Sequence, residues 1–89
     1  MPAVLDTVTL SIPAFVGCHS ITLSDGSSVL LQPKSKLSYP KIFTGNERKV
    51  YLSGEGFFEI SKNPKKPFFV YANEIVTRVV GTSFRIKAY

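Results

Sequence analysis

Eighty-nine residues hold one hydrophobic core and leave no room for a second, since single cores commonly take about 100–150 residues. With 44% hydrophobic and 19% charged residues, seven Phe, four Tyr and no Trp, the composition is globular and excludes a disordered chain. Charge is uneven: residues 1–33 carry two Asp and no Lys or Arg, whereas residues 34–89 carry eleven basic and four acidic residues, net +7 within an overall +5.

Met1–Thr9 lacks the basic n-region of a signal peptide. Thr7–Ser24, the longest run without a charged residue, is interrupted by Pro13, Gly17 and His19 and is no membrane span. Strand assignment in residues 1–20 is indistinct. Cys18 is the single cysteine, which excludes an internal disulfide and a zinc finger; a free cysteine reads as a small buried hydrophobe. Asp25-Gly26 lies between Thr22-Leu23-Ser24 and Ser27–Leu31, the pattern of a hairpin with a type I′ turn. Pro33–Glu47 is irregular: a short strand at Leu37-Ser38-Tyr39 sits among longer loops, with a turn at Thr44-Gly45-Asn46. Val50 and Leu52 alternate with polar neighbours, Gly54-Glu55-Gly56 reads as a turn or bulge, and Phe58 and Ile60 resume the alternation. Asn63–Pro67 is a loop, because its two prolines remove backbone donors. Phe68–Ala72, Ile75–Val80 and Ser83–Tyr89 are the last strands, with Phe84, Ile86 and Ala88 on one face and Arg85, Lys87 and Tyr89 on the other.

No window sustains apolar residues at helical spacing, so no substantial helix is expected. Turn signals every eight to twelve residues predict an all-β fold of eight or nine strands: two packed, mostly antiparallel sheets in a sandwich, jelly-roll or solenoid-like. The expected inward set is Leu23, Val29, Leu31, Val50, Leu52, Phe58, Ile60, Phe68, Val70, Val79, Phe84 and Ile86.

Catalytic chemistry finds little support. His19, the only histidine, adjoins Cys18, but neighbours on a strand point to opposite faces and cannot form a nucleophilic pair. Glu55 and Glu59 would stand roughly 13 Å apart on a strand, beyond the separation at which glycosidase carboxylates cooperate. The remaining acids lack metal-ligand spacing, Asp25-Gly26 belongs to no calcium loop, and no glycine-rich loop precedes a helix. No cofactor is expected. Tyr51, Phe57, Phe58, Phe68, Phe69 and Tyr71 among basic residues suit base stacking, but a core this small needs its phenylalanines inside.

Thr22–Val29 resembles the opening block of the FecR domain, and Ser35–Pro40 resembles its next block. Arg48–Ile60 resembles the central block, in which Gly56 replaces a common alanine. Lys66–Val70 resembles the following basic-Pro-Phe-x-Val block and Val79–Tyr89 the closing one. These blocks, in order, cover residues 22–89; Pro33 departs from the family pattern.

The resemblance implies a periplasmic signalling domain, residues 1–89, excised from a bacterial anti-sigma factor that crosses the inner membrane once. In such proteins a cytoplasmic segment holds an extracytoplasmic-function (ECF) sigma factor, and the periplasmic part contacts the signalling domain of a TonB-dependent receptor. Catalysis is not implied. The Lys62, Lys65, Lys66 loop and the Lys34, Lys36, Lys41 group are candidate steering surfaces for an acidic partner. Asp25, Gly26, Gly54, Glu55, Pro67, Gly81 and Thr82 read as structural: a turn, a corner, a loop end and a close backbone approach. A carbohydrate- or ligand-binding β-module is the alternative, and it requires at least two of Tyr39, Tyr51, Tyr71 and Tyr89 on one exposed surface. A nucleic-acid binder is a weaker rival, and no nucleic-acid partner is expected.

Overall fold

Alternating apolar and polar residues make strands along almost the whole chain. The computed structural model describes residues 7–43 and 45–88. It contains β1 (Thr7–Ser11), β2 (His19–Thr22), β3 (Ser28–Leu31), β4 (Lys36–Pro40), β5 (Arg48–Glu59), β6 (Phe68–Ala72), β7 (Ile75–Val79) and β8 (Ser83–Ala88), and no helix among these residues.

β5 organises the rest. Arg48, Val50, Leu52, Gly54, Gly56 and Phe58 are buried, and the residues between them face outward. A straight strand of this length would span ~40 Å at ~3.3 Å per residue. Yet Arg48, its first residue, donates a hydrogen bond to the carbonyl of Ser61, just beyond its last, at 3.0 Å. The strand therefore folds back on itself. The bend lies at Gly54, whose φ is +103°. A Cβ there would sit 2.8 Å from Cα of Ser35, so only glycine fits. Ser35 fills the inside of the bend, where its buried Oγ accepts the Glu55 N–H at 2.8 Å.

Before the bend, β5 pairs antiparallel with β4 and parallel with β6; after it, antiparallel with β3 and β8. β1 continues the sheet beyond β4, β2 beyond β3 and β7 beyond β6. The result is one eight-stranded sheet, mostly antiparallel, curled into a half-barrel around one core. The two separate sheets expected from the sequence are here joined through a shared strand. Gly54-Glu55-Gly56 explains the difference: read as a turn, it changes the direction of the chain without ending the ladder.

Leu23, Val29, Leu31, Val50, Leu52, Phe58, Ile60, Phe68 and Val70 are buried, as the period-two reading requires. Val79, Phe84 and Ile86 only pack partly against this core, because β7 and β8 are paired on one side alone. Ile12, Ile21, Leu37 and Ala72 complete it from segments whose alternation is short.

The β2–β3 connection also departs from expectation. Gly26 N–H donates to Leu23 C=O at 3.1 Å and Leu23 N–H to Ser27 C=O at 2.7 Å. Of Asp25 and Gly26 only the glycine has positive φ, +89°. This is a three-residue loop with a glycine closing it, in place of a two-residue type I′ turn. Cys18 is exposed rather than buried, and its thiol meets Gln32 Oε1 at 3.1 Å. It precedes β2, an edge strand whose one buried residue is Ile21. Thr44 and Tyr89, assigned to a turn and a strand face, lie outside the described residues.

Candidate functional site

The most ordered polar constellation surrounds Arg48. Its position on β5 puts it in register with Val50 and Leu52 and hence inside, where its side chain is 1% exposed. A buried guanidinium must have its donors satisfied. Nη1 meets Asp25 Oδ2 at 2.6 Å and the Ser61 carbonyl at 3.0 Å, and Nε donates to the Lys66 carbonyl at 2.7 Å. The group also stacks on the Phe68 ring, 5.4 Å from its centroid. Asp25 spends its other capacity on Ser27, accepting the backbone N–H at 2.9 Å and the hydroxyl at 2.8 Å. Ser61 Oγ donates to the Asp25 carbonyl at 2.9 Å, while Ser27 Oγ accepts the Ser61 N–H at 2.9 Å. No buried side-chain polar atom among the described residues lacks a partner. The network ties the β2–β3 loop, the start of β5 and the loop after β5 into one unit. Its chemistry is structural: the acid and the base neutralise each other away from water.

The residues read as structural are placed as follows. Asp25 and Gly26 form the loop, and Asp25 also supplies the counter-charge of Arg48. Gly54 makes the corner. Glu55 is half-buried, its carbonyl accepts Gln32 N–H at 3.0 Å, and its carboxylate lies 3.8 Å from Arg85. The Pro67 carbonyl accepts Arg48 N–H at 2.9 Å, and Thr82 C=O accepts Ile60 N–H at 3.0 Å. Gly81 passes so close to Lys62 that a Cβ would meet its backbone.

The lysines are carried by separate segments. Lys62 and Lys65 are exposed on the loop after β5, whereas Lys66 is half-buried there with its carbonyl held by Arg48. Lys34 occupies a turn at φ +66°, Lys36 begins β4 opposite Ser53, and Lys41 follows the far end of that strand. Lys36 stands opposite Ser53 and the Lys66 carbonyl meets Arg48, β5 positions roughly 17 Å apart at ~3.3 Å per residue of straight strand.

The tyrosines divide. Tyr39 packs against the core. Tyr51 and Tyr71 face each other on β5 and β6 with rings stacked at 5.0 Å, Tyr51 exposed and Tyr71 half-buried. Beside them, Lys49 is held above the usual lysine range, chiefly by its hydrogen bond to Glu47, at 3.2 Å, and by that carboxylate's charge. His19 and Cys18 are both exposed, and no cluster of ligand-type side chains suitable for a metal occurs among the described residues. Glu55 and Glu59 stay four residues apart on β5.

Arg48 was not among the expected functional or structural residues, although its parity with Val50 and Leu52 was the available signal. The Tyr51–Tyr71 pairing depends on the β5–β6 parallel register, which no local pattern encodes.

The fold is shared closely with two crystal structures, at 2.50 and 1.65 Å, of a protein described as "a putative anti-sigma factor from Parabacteroides distasonis ATCC 8503". Both are 34% identical, with TM-scores of 0.90 and 0.89 over 93% and 92% of this chain. This chain spans 38% of the length of each. No curated protein matches it. The profile of the FecR protein family matches residues 17–89, and the chain belongs to that family.

Proposed function

We propose that this chain is the periplasmic signalling domain of a FecR-like anti-sigma factor, relaying substrate sensing by a TonB-dependent outer-membrane receptor to a cytoplasmic ECF sigma factor. The observation that carries the reading is the family match over residues 17–89, supported by 34% identity to the anti-sigma factor described above. The site is compatible with it: the polar network closes on itself, and among the described residues the outer strands of the sheet pair on one side only. The role is non-enzymatic, the full-length protein crosses the inner membrane once, and the signal passes by contact between domains.

A reporter gene driven by the sigma factor tests this in the source bacterium. Removing residues 17–89 from the full-length protein should uncouple transcription from the receptor's substrate while the protein still reaches the membrane. Unchanged induction would sink the proposal. The stacked Tyr51–Tyr71 pair favours one second reading, a glycan-binding β-module. Saturable binding of a soluble oligosaccharide, lost on Tyr51→Ala, would favour that reading over the first.

A further inference from the structure

Among the described residues, β1, β2, β7 and β8 each pair on one side only. Free edges are normally blunted by charge, proline, a bulge or shortness. β1 presents Thr7, Thr9 and Ser11, β2 has four residues, and β8 carries Arg85 and Lys87. β1 also lacks charge and proline, but its apolar Val8 and Leu10 are half-buried, whereas β7 exposes its apolar residues: Ile75-Val76-Thr77 runs without charge or proline, and Arg78 is its single charged residue. Ile75 stands opposite buried Ala72 yet is 65% exposed, and Val76 on the other face is 51% exposed. Val76, Tyr71 and Tyr51 form one row across three strands, and Arg78, Phe69 and Lys49 form the next. Lys49 is paired with Glu47, whereas Arg78 has no ion pair among the described residues. Tyrosine and arginine around exposed aliphatic groups are the composition of an interface centre.

We propose that the β7 edge, with the Val76–Tyr71–Tyr51 row beside it, docks an extended segment of a partner protein as an added strand. Backbone hydrogen bonds along β7 supply affinity and the flanking side chains supply choice. The segment carries apolar residues over Val76 and Ile75 and a carboxylate at Arg78. An acidic partner matches a chain of net charge +5. A second copy matches poorly, since it brings the same net charge and another Arg78 to the seam. The inference rests on the signalling function proposed above and names the surface on which that contact is made.

The probe is the periplasmic signalling domain of the TonB-dependent receptor from the same operon. Its affinity is measured by calorimetry and its footprint by amide hydrogen exchange. Protection should rise along Ile75–Val79, and Val76→Lys and Arg78→Glu should each weaken binding about tenfold or more, a loss of ~1.4 kcal/mol. Both side chains are exposed, and an unchanged melting temperature confirms that the variants fold. Wild-type binding that neither variant alters, or protection on β1, β2 or β8 alone, overturns the docking surface and leaves the signalling function standing. No binding at submillimolar concentration overturns both. Self-association in sedimentation, abolished by Val76→Lys, replaces the partner segment with a second copy and overturns the assignment.

Discussion

Arg48 and Asp25, 23 residues apart in sequence, form a 2.6 Å ion pair whose side chains are 1% and 15% exposed. The pair fastens the β2–β3 loop to the first residue of the strand that both halves of the sheet share. Breaking a buried pair from one side leaves an uncompensated charge, at about 3–5 kcal/mol. Asp25→Ala is therefore expected to destabilise by about that much in urea melts. Replacing both groups, Asp25→Ala with Arg48→Met, should recover a large part of the loss, because an apolar pair strands no charge. Additive losses in the double variant would show that the two residues act separately.

This relationship marks where sequence reading reached and where it stopped. The alternation in Val29–Leu31, Val50–Leu52 and Phe68–Val70 made the inward faces legible, because burial of one strand face repeats every two residues. Arg48 obeys the same parity, but a cation there reads as the end of a strand unless its counter-charge is known, and Asp25-Gly26 by itself reads as a turn. Gly54 shows the same limit. A glycine between two apolar runs signals a turn or a bend equally well, and only the Ser35 contact and the ladder that continues to Glu59 decide between them. The parallel β5–β6 register, and with it the Tyr51–Tyr71 stack, follows from that bend.

Gly54→Ala tests the bend directly. The substitution forces a side chain into positive φ and into Cα of Ser35 at 2.8 Å. Backbone strain alone is expected to cost about 1–3 kcal/mol, and the clash adds to it. The paired variant Ser35→Ala loses only the acceptor for Glu55 N–H and should cost about 1–3 kcal/mol. Gly54→Ala melting within 1 °C of the wild type would show that β5 bends elsewhere.

Phe58 and Phe84 face each other across β5 and β8 with rings 5.2 Å apart and nearly parallel, but they are buried unequally. Phe58 is fully enclosed, and Phe58→Ala should cost about 3–5 kcal/mol. Phe84 is half-buried on an edge strand, so Phe84→Ala is expected to cost about half as much in the same denaturant melts, in proportion to the area it removes from water. Equal losses would mean that β8 is covered in solution by something beyond these residues.

The loop after β5 separates the steering role of its lysines from their structural one. Lys66 belongs to the Arg48 network through its carbonyl, whereas Lys62 and Lys65 extend into solvent. Reversing the latter two, Lys62→Glu with Lys65→Glu, removes positive charge without touching a hydrogen bond of that network. If the loop steers an acidic receptor domain, the association rate at low salt should fall about tenfold while the dissociation rate and melting temperature hold. The deficit should shrink as salt screens the approach, since the Debye length falls from about 30 Å at 0.01 M to about 10 Å at 0.1 M. Stopped-flow mixing with the receptor's signalling domain measures both rates. An association rate that does not move would leave Lys62 and Lys65 as solvated loop residues.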